Sequence, residues 1–285
     1  MNSLTFSTLI IDAATLARSL NNVIVLDCRF SLTDAAAGHS DYRRGHIPGA
    51  HYCDLNKHLS GEVSRHGGRH PLPPFEQFIQ QLHRWGICKD SQVVVYDDQK
   101  MAFASRAWWL LNIAGIRKVQ LLDGGYQSWT EAGYAKDRRN SAEKTSKDPT
   151  QPAQDFDFSN TETFETISKS LEVNTMTLID SREAVRYRGE AEPIDPIAGH
   201  IPKAKNLPWN QVTDDKGFVQ TESFHTQRWS QITSSNNKTV VYCGSGVTAC
   251  VNLLSAAIAG HRVSIYPGSW SDWISHDTAP IAKAL

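Results

Sequence analysis

The amino-acid sequence predicts an α/β protein made of two similar domains, each with a mainly parallel, twisted sheet flanked by helices on both faces. Two observations support this prediction. Short β-branched runs alternate along the chain with segments that repeat apolar residues at the helical period, which is typical of βαβ units. The same series of segments also occurs twice, so the chain contains an internal duplication.

The strands of the first copy are continuous apolar runs. Val23–Leu26, Val93–Tyr96 and Val119–Leu122 are apolar runs, interrupted only by Gln120, as expected for parallel strands buried on both faces. The segments Phe75–Trp85 and Ser105–Ala114 carry apolar residues at helical spacing. Parallel strands joined by such helices predict right-handed crossovers and a doubly wound sheet.

The two copies match at strands, turns and helix ends. The matching segments are 23–29 with 176–182, 45–50 with 199–204, 93–97 with 239–243, and Ala114-Gly115 with Ala259-Gly260. Between the copies, the stretch from Lys136 to Asp155 has the polar, Pro-containing composition of a linker. We therefore predict a first domain at 1–137, a linker at 138–156 and a second domain at 157–285.

The chain has 285 residues, 40% hydrophobic and 21% charged with a net charge of -1, as is typical of a globular protein with two cores. This near-neutral balance predicts neither a nucleic-acid nor a membrane partner, and no segment has the length of a transmembrane helix. The N-terminus lacks the basic region of a secretory signal. Five cysteines without paired spacing indicate a reducing compartment, so we expect a cytoplasmic location.

Cys243 is the candidate nucleophile. It follows an apolar strand, and the turn formed by Gly244, Ser245 and Gly246 leads directly into a helix of small residues. Such a turn directs backbone N–H groups inward at the positive end of a helix, which favours bound anions and the thiolate form of cysteine. The pattern predicts covalent catalysis on an anionic substrate. The alternative is a cysteine that only packs in the core, because free cysteines are commonly buried.

The first copy has Asp97 at the position of Cys243, and the segment after it is longer and bulkier. A carboxylate cannot act as a sulfur nucleophile. We therefore expect the first domain to be catalytically silent and to form a wall of the active cleft. A zinc site using Cys243 and Cys250 lacks the usual ligand spacing, so neither a metal nor another cofactor is predicted.

The chain contains two copies of a D-x-R, G-H-I-P and strand–loop–helix pattern, with a cysteine only in the second copy. This arrangement resembles the tandem-domain rhodanese family, and the loop from Cys243 to Thr248 is similar to that of its 3-mercaptopyruvate sulfurtransferases. The resemblance covers nearly the whole chain outside the linker and implies two rhodanese-like domains. It also implies ping-pong transfer, in which the Cys243 thiolate takes sulfur from a donor and passes it on from a persulfide. The residues whose N–H groups would hold the persulfide are Gly244, Ser245, Gly246, Val247 and Thr248.

The charge of this loop bears on the donor. Rhodaneses that prefer thiosulfate usually carry Arg and Lys after the nucleophile, whereas this chain has Gly244 and Ser245. Two missing cations disfavour a small dianion, so the resemblance implies 3-mercaptopyruvate, a small anionic donor with one carboxylate. The implied acceptor is a thiol, cyanide or a thioredoxin-like protein. Ser245 either relays a proton from the donor thiol or is only a small residue that suits the turn.

Three arginines are candidates for binding the donor carboxylate. Arg186 matches an R-[FY]-x-G segment of the family, and its guanidinium group suits a bidentate contact. Arg182 has the counterpart Arg29 in the silent domain, which favours a structural role, and Arg188 is the third candidate. The family commonly has a second arginine after a Glu-Pro pair, but the segment after Glu192 contains none, so the site should bind more weakly or take a cation from elsewhere.

The first domain supplies further candidates by resemblance. His70 matches a histidine of the family site, with His66 as the alternative. A family aspartate position falls on Asn56, with Asp54 close by. His46 and His200 occur in both copies, which indicates a structural turn.

Other functions remain open at this stage. A phosphatase would need an arginine that closes the loop, where this chain has Ala249. A thiosulfate:cyanide sulfurtransferase differs only in its donor. A non-catalytic module that carries persulfide or binds a partner is the remaining alternative.

Overall fold

The computed structural model describes residues 5–139, 156–232 and 237–283, and these residues form two α/β domains, each built on a parallel sheet. The fold class expected from the sequence is confirmed. Of the predicted linker at 138–156, residues 140–155 lie outside the described residues, so the domain boundaries stay a prediction.

The sheet of the first domain has five strands in the order β1-β5-β4-β2-β3, and every neighbouring pair is parallel. These strands are β1 (Ile10–Ile11), β2 (Ile24–Asp27), β3 (His51–Tyr52), β4 (Gln92–Tyr96) and β5 (Lys118–Leu122). In the central strand β4, four consecutive residues from Val93 to Tyr96 are buried. Both faces of the strand are therefore covered, which explains its continuous apolar run.

The sheet of the second domain has four parallel strands in the order β7-β6-β8-β9. They are β6 (Met176–Asp180), β7 (Lys205–Asn206), β8 (Lys238–Tyr242) and β9 (Ser264–Ile265). Strand β8 pairs with β6 as β4 pairs with β2, so the duplication in the sequence is a duplication of sheet order around the central strand. Asp97 and Cys243 follow these two central strands directly.

Twelve α-helices surround the sheets among the described residues. They are α1 (Phe6–Leu9), α2 (Ala13–Ser19), α3 (Ala37–Arg44), α4 (Leu55–His58), α5 (Phe75–Arg84), α6 (Ala104–Ile113), α7 (Gly125–Glu131), α8 (Phe164–Val173), α9 (Ala184–Arg188), α10 (Glu222–Ser230), α11 (Ala249–Ile258) and α12 (Ser269–Trp273). None of the helices in the described part of the chain is long and apolar enough to cross a membrane.

Helices α6 and α11 join the two domains. Each follows the central strand of its own sheet, the two pack against each other, and nine of the ten residues in each are buried. A helix that is apolar around its whole circumference needs cover on every side, which a sheet and a second domain together provide. The loops that precede α6 and α11 are thereby brought to one interface between the domains.

Candidate active site

The loop after β8 is held by close backbone contacts. The N–H of Cys243 donates to Ser269 Oγ at 3.1 Å, and its carbonyl oxygen accepts from the N–H of Trp270 at 3.0 Å. Gly246 has a φ of +74°, and a Cβ placed there would lie 2.1 Å from the carbonyl oxygen of Pro267. Because no side chain fits at that point, glycine is required for the loop to turn into α11.

The first domain shows what such a loop can bind. The carboxylate of Asp97 accepts four backbone hydrogen bonds of 2.8 to 3.0 Å, from the N–H groups of Gln99, Met101, Phe103 and Ala104. The loop between strand and helix in the first domain is therefore an anion site that is occupied by its own side chain. The corresponding side chain in the second domain is the thiol of Cys243.

Arg106 extends from α6 of the first domain to the catalytic loop. Its side chain is fully buried and donates to the carbonyl oxygens of Gly246 at 3.2 Å and His70 at 3.1 Å. No carboxylate pairs with Arg106 in the parts of the chain that the structure describes. Burial lowers the pKa of Arg106, and the nearby sulfur atoms of Cys250 and Cys243 oppose that shift. A buried cation without a carboxylate favours a thiolate nearby.

His70 and Ser245 meet across the domain interface. The Nδ1 atom of His70 lies 2.8 Å from Ser245 Oγ, and both residues are buried. Burial lowers the pKa of His70 to about 4, and the positive charges of Arg106 and Arg69 add to this effect. His70 is therefore neutral near pH 7, so one of its ring nitrogens carries a lone pair that can accept a hydrogen bond.

The segment that carries His70 is anchored on the second domain. The N–H of Gly67 donates to Asp272 Oδ1 at 2.7 Å, and that of Arg69 donates to Ser271 Oγ at 3.1 Å. A Cβ at Gly68 would lie 2.4 Å from the carbonyl oxygen of Gly268, so the two backbones touch.

His66, the alternative to His70, lies in a different environment. It contacts Ser275 Oγ at 2.8 Å and stacks on His276. His66, Asp272 and His276 place possible metal-ligating atoms within 4.8 Å of one another. Both oxygens of Asp272 are already bonded, to the N–H of Gly67 and to the hydroxyl of Tyr266, so this cluster serves as an anchor between the domains.

Arg186 and Arg69 lie beside Gly244. A Cβ on Gly244 would be 3.3 Å from Nη2 of Arg186 and 3.2 Å from Nη2 of Arg69. Arg186 is held by Glu192 through contacts of 2.7 to 3.0 Å and contacts Asp195 at 3.2 Å. Arg69 pairs with the other oxygen of Asp195. A second guanidinium group beside this loop thus comes from the first domain.

The other two arginines have different surroundings. Arg182 binds Asp180 and Glu192 and donates to the carbonyl oxygen of Gly199 at 2.7 Å. Arg29 makes the equivalent contacts with Asp27 and Gly45 in the silent domain. This shared geometry explains the repeated D-x-R pattern as a structural clamp.

Arg188 lies in an exposed ion pair. Its side chain is 39% exposed and pairs with Glu190. The structure therefore does not bring Arg188 together with the other candidate residues.

Several further candidates have structural contacts. Asp54 caps α4 by accepting from the N–H groups of Asn56 and Lys57, and Asn56 is exposed. His46 and His200 contact the carbonyl oxygens of Tyr42 and Tyr187 at 2.8 and 2.7 Å and stack on the same tyrosines. In the loop, Val247 is buried in the core and Thr248 precedes α11 without a side-chain cap bond.

Two cysteines near the loop differ in character. Burial raises the pKa of Cys250 to about 12, and its thiol donates to the carbonyl oxygen of Gly246 at 3.4 Å. Cys243 is 1% exposed, and the two guanidinium groups of Arg69 and Arg186 lie against the residue beside it. The side chain of Cys243 is thus almost fully shielded from solvent in this structure.

Three site residues were missed by the sequence analysis: Arg69, Arg106 and Asp195. Arg69 directly precedes a candidate histidine, which was the one available signal. Arg106 interrupts an otherwise apolar helix, and a charged residue at such a position indicates a buried partner. Asp195 has no local signal, because both of its arginine partners are distant or on a different element.

Comparisons with known proteins agree with this geometry. The Rhodanese-like domain matches this chain twice, at residues 12–132 and 163–276. A Pseudomonas aeruginosa protein named "Probable 3-mercaptopyruvate sulfurtransferase" is 43% identical over 268 residues, which cover 92% of each chain. A Mycobacterium tuberculosis protein with the provisional name of a thiosulfate sulfurtransferase is 36% identical over 262 residues, 92% of this chain and 91% of that one.

The structures agree as well. The crystal structure of the 3-mercaptopyruvate sulfurtransferase SseA from Escherichia coli superposes with a TM-score of 0.79 at 29% identity, covering 93% of this chain and 99% of that one. Two parallel α/β domains with one cysteine-bearing loop at their interface thus define a rhodanese-type protein, and the chain belongs to the rhodanese family. It is a sulfurtransferase, the enzyme class named for these relatives, and it therefore acts between a sulfur donor and a sulfur acceptor.

Proposed function

We propose that the protein transfers sulfur from 3-mercaptopyruvate to a thiol or cyanide acceptor through a persulfide on Cys243. The observation that supports this most is the pairing of a cysteine-bearing anion loop with two arginines beside a neutral Gly-Ser pair. Two guanidinium groups suit the carboxylate of the donor, while the donor sulfur lies over the loop.

The first half-reaction forms the persulfide. The Cys243 thiolate attacks the donor sulfur, the carbon–sulfur bond breaks, and the carbon keeps the electron pair. Ser245 and neutral His70, in contact at 2.8 Å, take the proton of the donor thiol and return it to that carbon, so pyruvate leaves. The persulfide anion remains in the loop, among backbone N–H groups equivalent to those that bind Asp97.

The second half-reaction releases the sulfur. A nucleophilic acceptor, such as a small thiolate, cyanide or the thiolate of a thioredoxin-like protein, attacks the outer sulfur atom. The sulfur–sulfur bond breaks and Cys243 leaves as the thiolate, which the loop and Arg106 stabilise. The enzyme returns to its starting state without any external oxidant or reductant.

The residues proposed for donor binding are Arg186 and Arg69. Arg182 is part of the structural clamp, and Arg188 lies in an exposed pair, so neither belongs to the proposed carboxylate site. The cytoplasmic location stays part of the proposal, because all five cysteines are unpaired and a persulfide enzyme needs reduced thiols.

Mass spectrometry of the intact protein tests the proposal. Incubation with 3-mercaptopyruvate should add about 32 Da, one sulfur atom, and dithiothreitol should remove it. Cys243→Ser should give no adduct and no turnover with cyanide while its unfolding curve stays that of the wild type. Cys250→Ser is the matched control and should still form the adduct. An adduct that forms with thiosulfate but not with 3-mercaptopyruvate would make thiosulfate the donor. The absence of an adduct with either donor would favour a non-catalytic module.

A further inference from the structure

We propose that Asp195 is a gate of the donor site: its carboxylate holds the place of the donor carboxylate between Arg69 and Arg186, and the donor opens the site by exchanging with it. This inference rests on the proposed function, because it requires a donor that carries a carboxylate. It assigns a role to a residue on the segment between α9 and β7.

The contacts of Asp195 place it between the two domains. One oxygen pairs with Arg69 of the first domain, and the other lies 3.2 Å from Nη2 of Arg186 of the second. The Asp195 side chain is 1% exposed. A carboxylate bound by two guanidinium groups in this manner is the arrangement that a bound substrate carboxylate would have.

The charges of the cluster already balance. Its three arginines are matched by three carboxylates; the arginines are Arg69, Arg182 and Arg186, and the acids are Asp180, Glu192 and Asp195. Exchange of Asp195 for a donor with one carboxylate keeps this balance around the arginines. A dianion such as thiosulfate would bring an excess negative charge into a buried site, which is unfavourable. The gate therefore selects for a monocarboxylate donor.

The two arginines differ in how firmly they are held. Arg186 keeps its contacts with Glu192 when Asp195 leaves. Asp195 is the only carboxylate that pairs with Arg69 within the described ranges, and the Arg69 side chain is 30% exposed. Arg69 is therefore the part that moves aside when Asp195 leaves, and it then closes on the donor carboxylate together with Arg186. Because its guanidinium lies against Gly244, its movement uncovers the loop at Cys243, which is 1% exposed in the closed form.

Alkylation of Cys243 tests the gate without relying on turnover. Iodoacetamide is neutral, so its rate depends only on access to Cys243. Iodoacetate carries a carboxylate, so its rate also depends on whether Arg69 and Arg186 are free to bind that carboxylate. For Asp195→Asn, the Cys243 peptide should be modified about tenfold faster by iodoacetate, with a smaller increase for iodoacetamide. Glu190→Gln is the matched control: it removes a carboxylate from the same segment, but one that pairs with exposed Arg188, and its rates should equal those of the wild type.

A second variant separates opening from charge. Arg69→Gln removes the movable cation. Iodoacetamide should therefore modify Cys243 faster than in the wild type, and the rate with iodoacetate should rise by no larger a factor than the rate with iodoacetamide. In steady-state assays, Asp195→Asn should raise kcat/KM for thiosulfate relative to 3-mercaptopyruvate by about tenfold, because one positive charge is no longer neutralised. If both variants are alkylated at the wild-type rate with both reagents, Asp195 is not a gate.

The two proposals fail in different ways. If the wild-type protein accepts no sulfur from 3-mercaptopyruvate but Asp195→Asn is alkylated faster, the proposed donor is wrong and the gate proposal stands. If the wild-type protein forms the persulfide from 3-mercaptopyruvate but the variants show unchanged alkylation rates and donor preference, the proposed donor stands and the gate proposal is wrong.

Discussion

Asp97 of the first domain and Cys243 of the second occupy equivalent places, each directly after the central strand of its sheet and before a helix at the domain interface. The carboxylate of Asp97 accepts four backbone hydrogen bonds from its own loop. The loop of the first domain is therefore an anion-binding structure. One copy fills it with the carboxylate of Asp97, and the other places the thiol of Cys243 at the equivalent point.

Removal of the Asp97 carboxylate should destabilise the first domain. Asp97→Ala leaves four buried N–H groups without an acceptor, which should lower the free energy of unfolding by about 3 kcal/mol. Asp90→Ala, on an exposed loop before β4, is the control and should change it by less than about 0.5 kcal/mol. Urea unfolding measures both. If Asp97→Ala were as stable as the wild type, the loop N–H groups would be shown to find acceptors without the carboxylate.

Gly246→Ala should disrupt the catalytic loop. The new Cβ would lie 2.1 Å from the carbonyl oxygen of Pro267, so the loop must shift, and sulfur transfer should fall by about a hundredfold or more. Gly260→Ala is the matched control, because its φ of +76° carries the same backbone strain but no atom lies within 4 Å of the Cβ position. The control should lose only about 1 kcal/mol of stability and keep its activity. Similar activity in the two variants would exclude close packing of this loop as a requirement.

Arg106 should support the reactivity of Cys243. In Arg106→Met, a buried positive charge near the thiol is lost together with the bond to the Gly246 carbonyl oxygen, so iodoacetamide should modify Cys243 about tenfold more slowly near pH 7.5. Arg106→Lys keeps the charge and should recover part of the rate. Arg84→Met, at an exposed position of α5, is the control. If Arg106→Met and Arg106→Lys lose reactivity equally, the role of Arg106 is packing rather than charge.

His70 should make stability depend on pH. Its pKa is lowered to about 4 by burial in the folded protein, while an unfolded histidine has a pKa of about 6.5, so the unfolded chain binds the proton more readily between these values. The contribution of His70 to stability is therefore complete above about pH 6.5 and falls by up to about 3 kcal/mol as the pH drops to about 4. His70→Asn should show a smaller loss between about pH 7.5 and pH 5 in urea unfolding.

The same shift affects catalysis. His70 stays neutral well below pH 6.5 because its pKa is lowered. His70 should therefore cause no inflection at the usual histidine pKa on the acidic side of the pH–rate profile, and His70→Asn should remove none there. An inflection near pH 6.5 that this variant removes would mean that His70 is solvated during turnover.

The fold was predictable from the sequence because its determinants are local. The apolar runs that became β2, β4 and β5 and the helical spacing of α5 and α6 all lie in contiguous residues, and the observed elements differ from the predicted ones by one or two positions. The strand, Cys243, the Gly-rich turn and the helix that follows are likewise consecutive, so the candidate nucleophile and its loop were visible before the structure.

The rest of the site was decided only by tertiary structure. Arg69, Arg106 and Asp195 come from three separate elements, and the partners Arg69 and Asp195 are 126 residues apart. Nothing in the local sequence states that two domains will close around one loop, because the packing of α6 on α11 depends on the shapes of two complete cores. The sequence by itself determined which atom is the candidate nucleophile, while the folded chain decided which charges surround that atom, since charges act through distance in space and not along the chain.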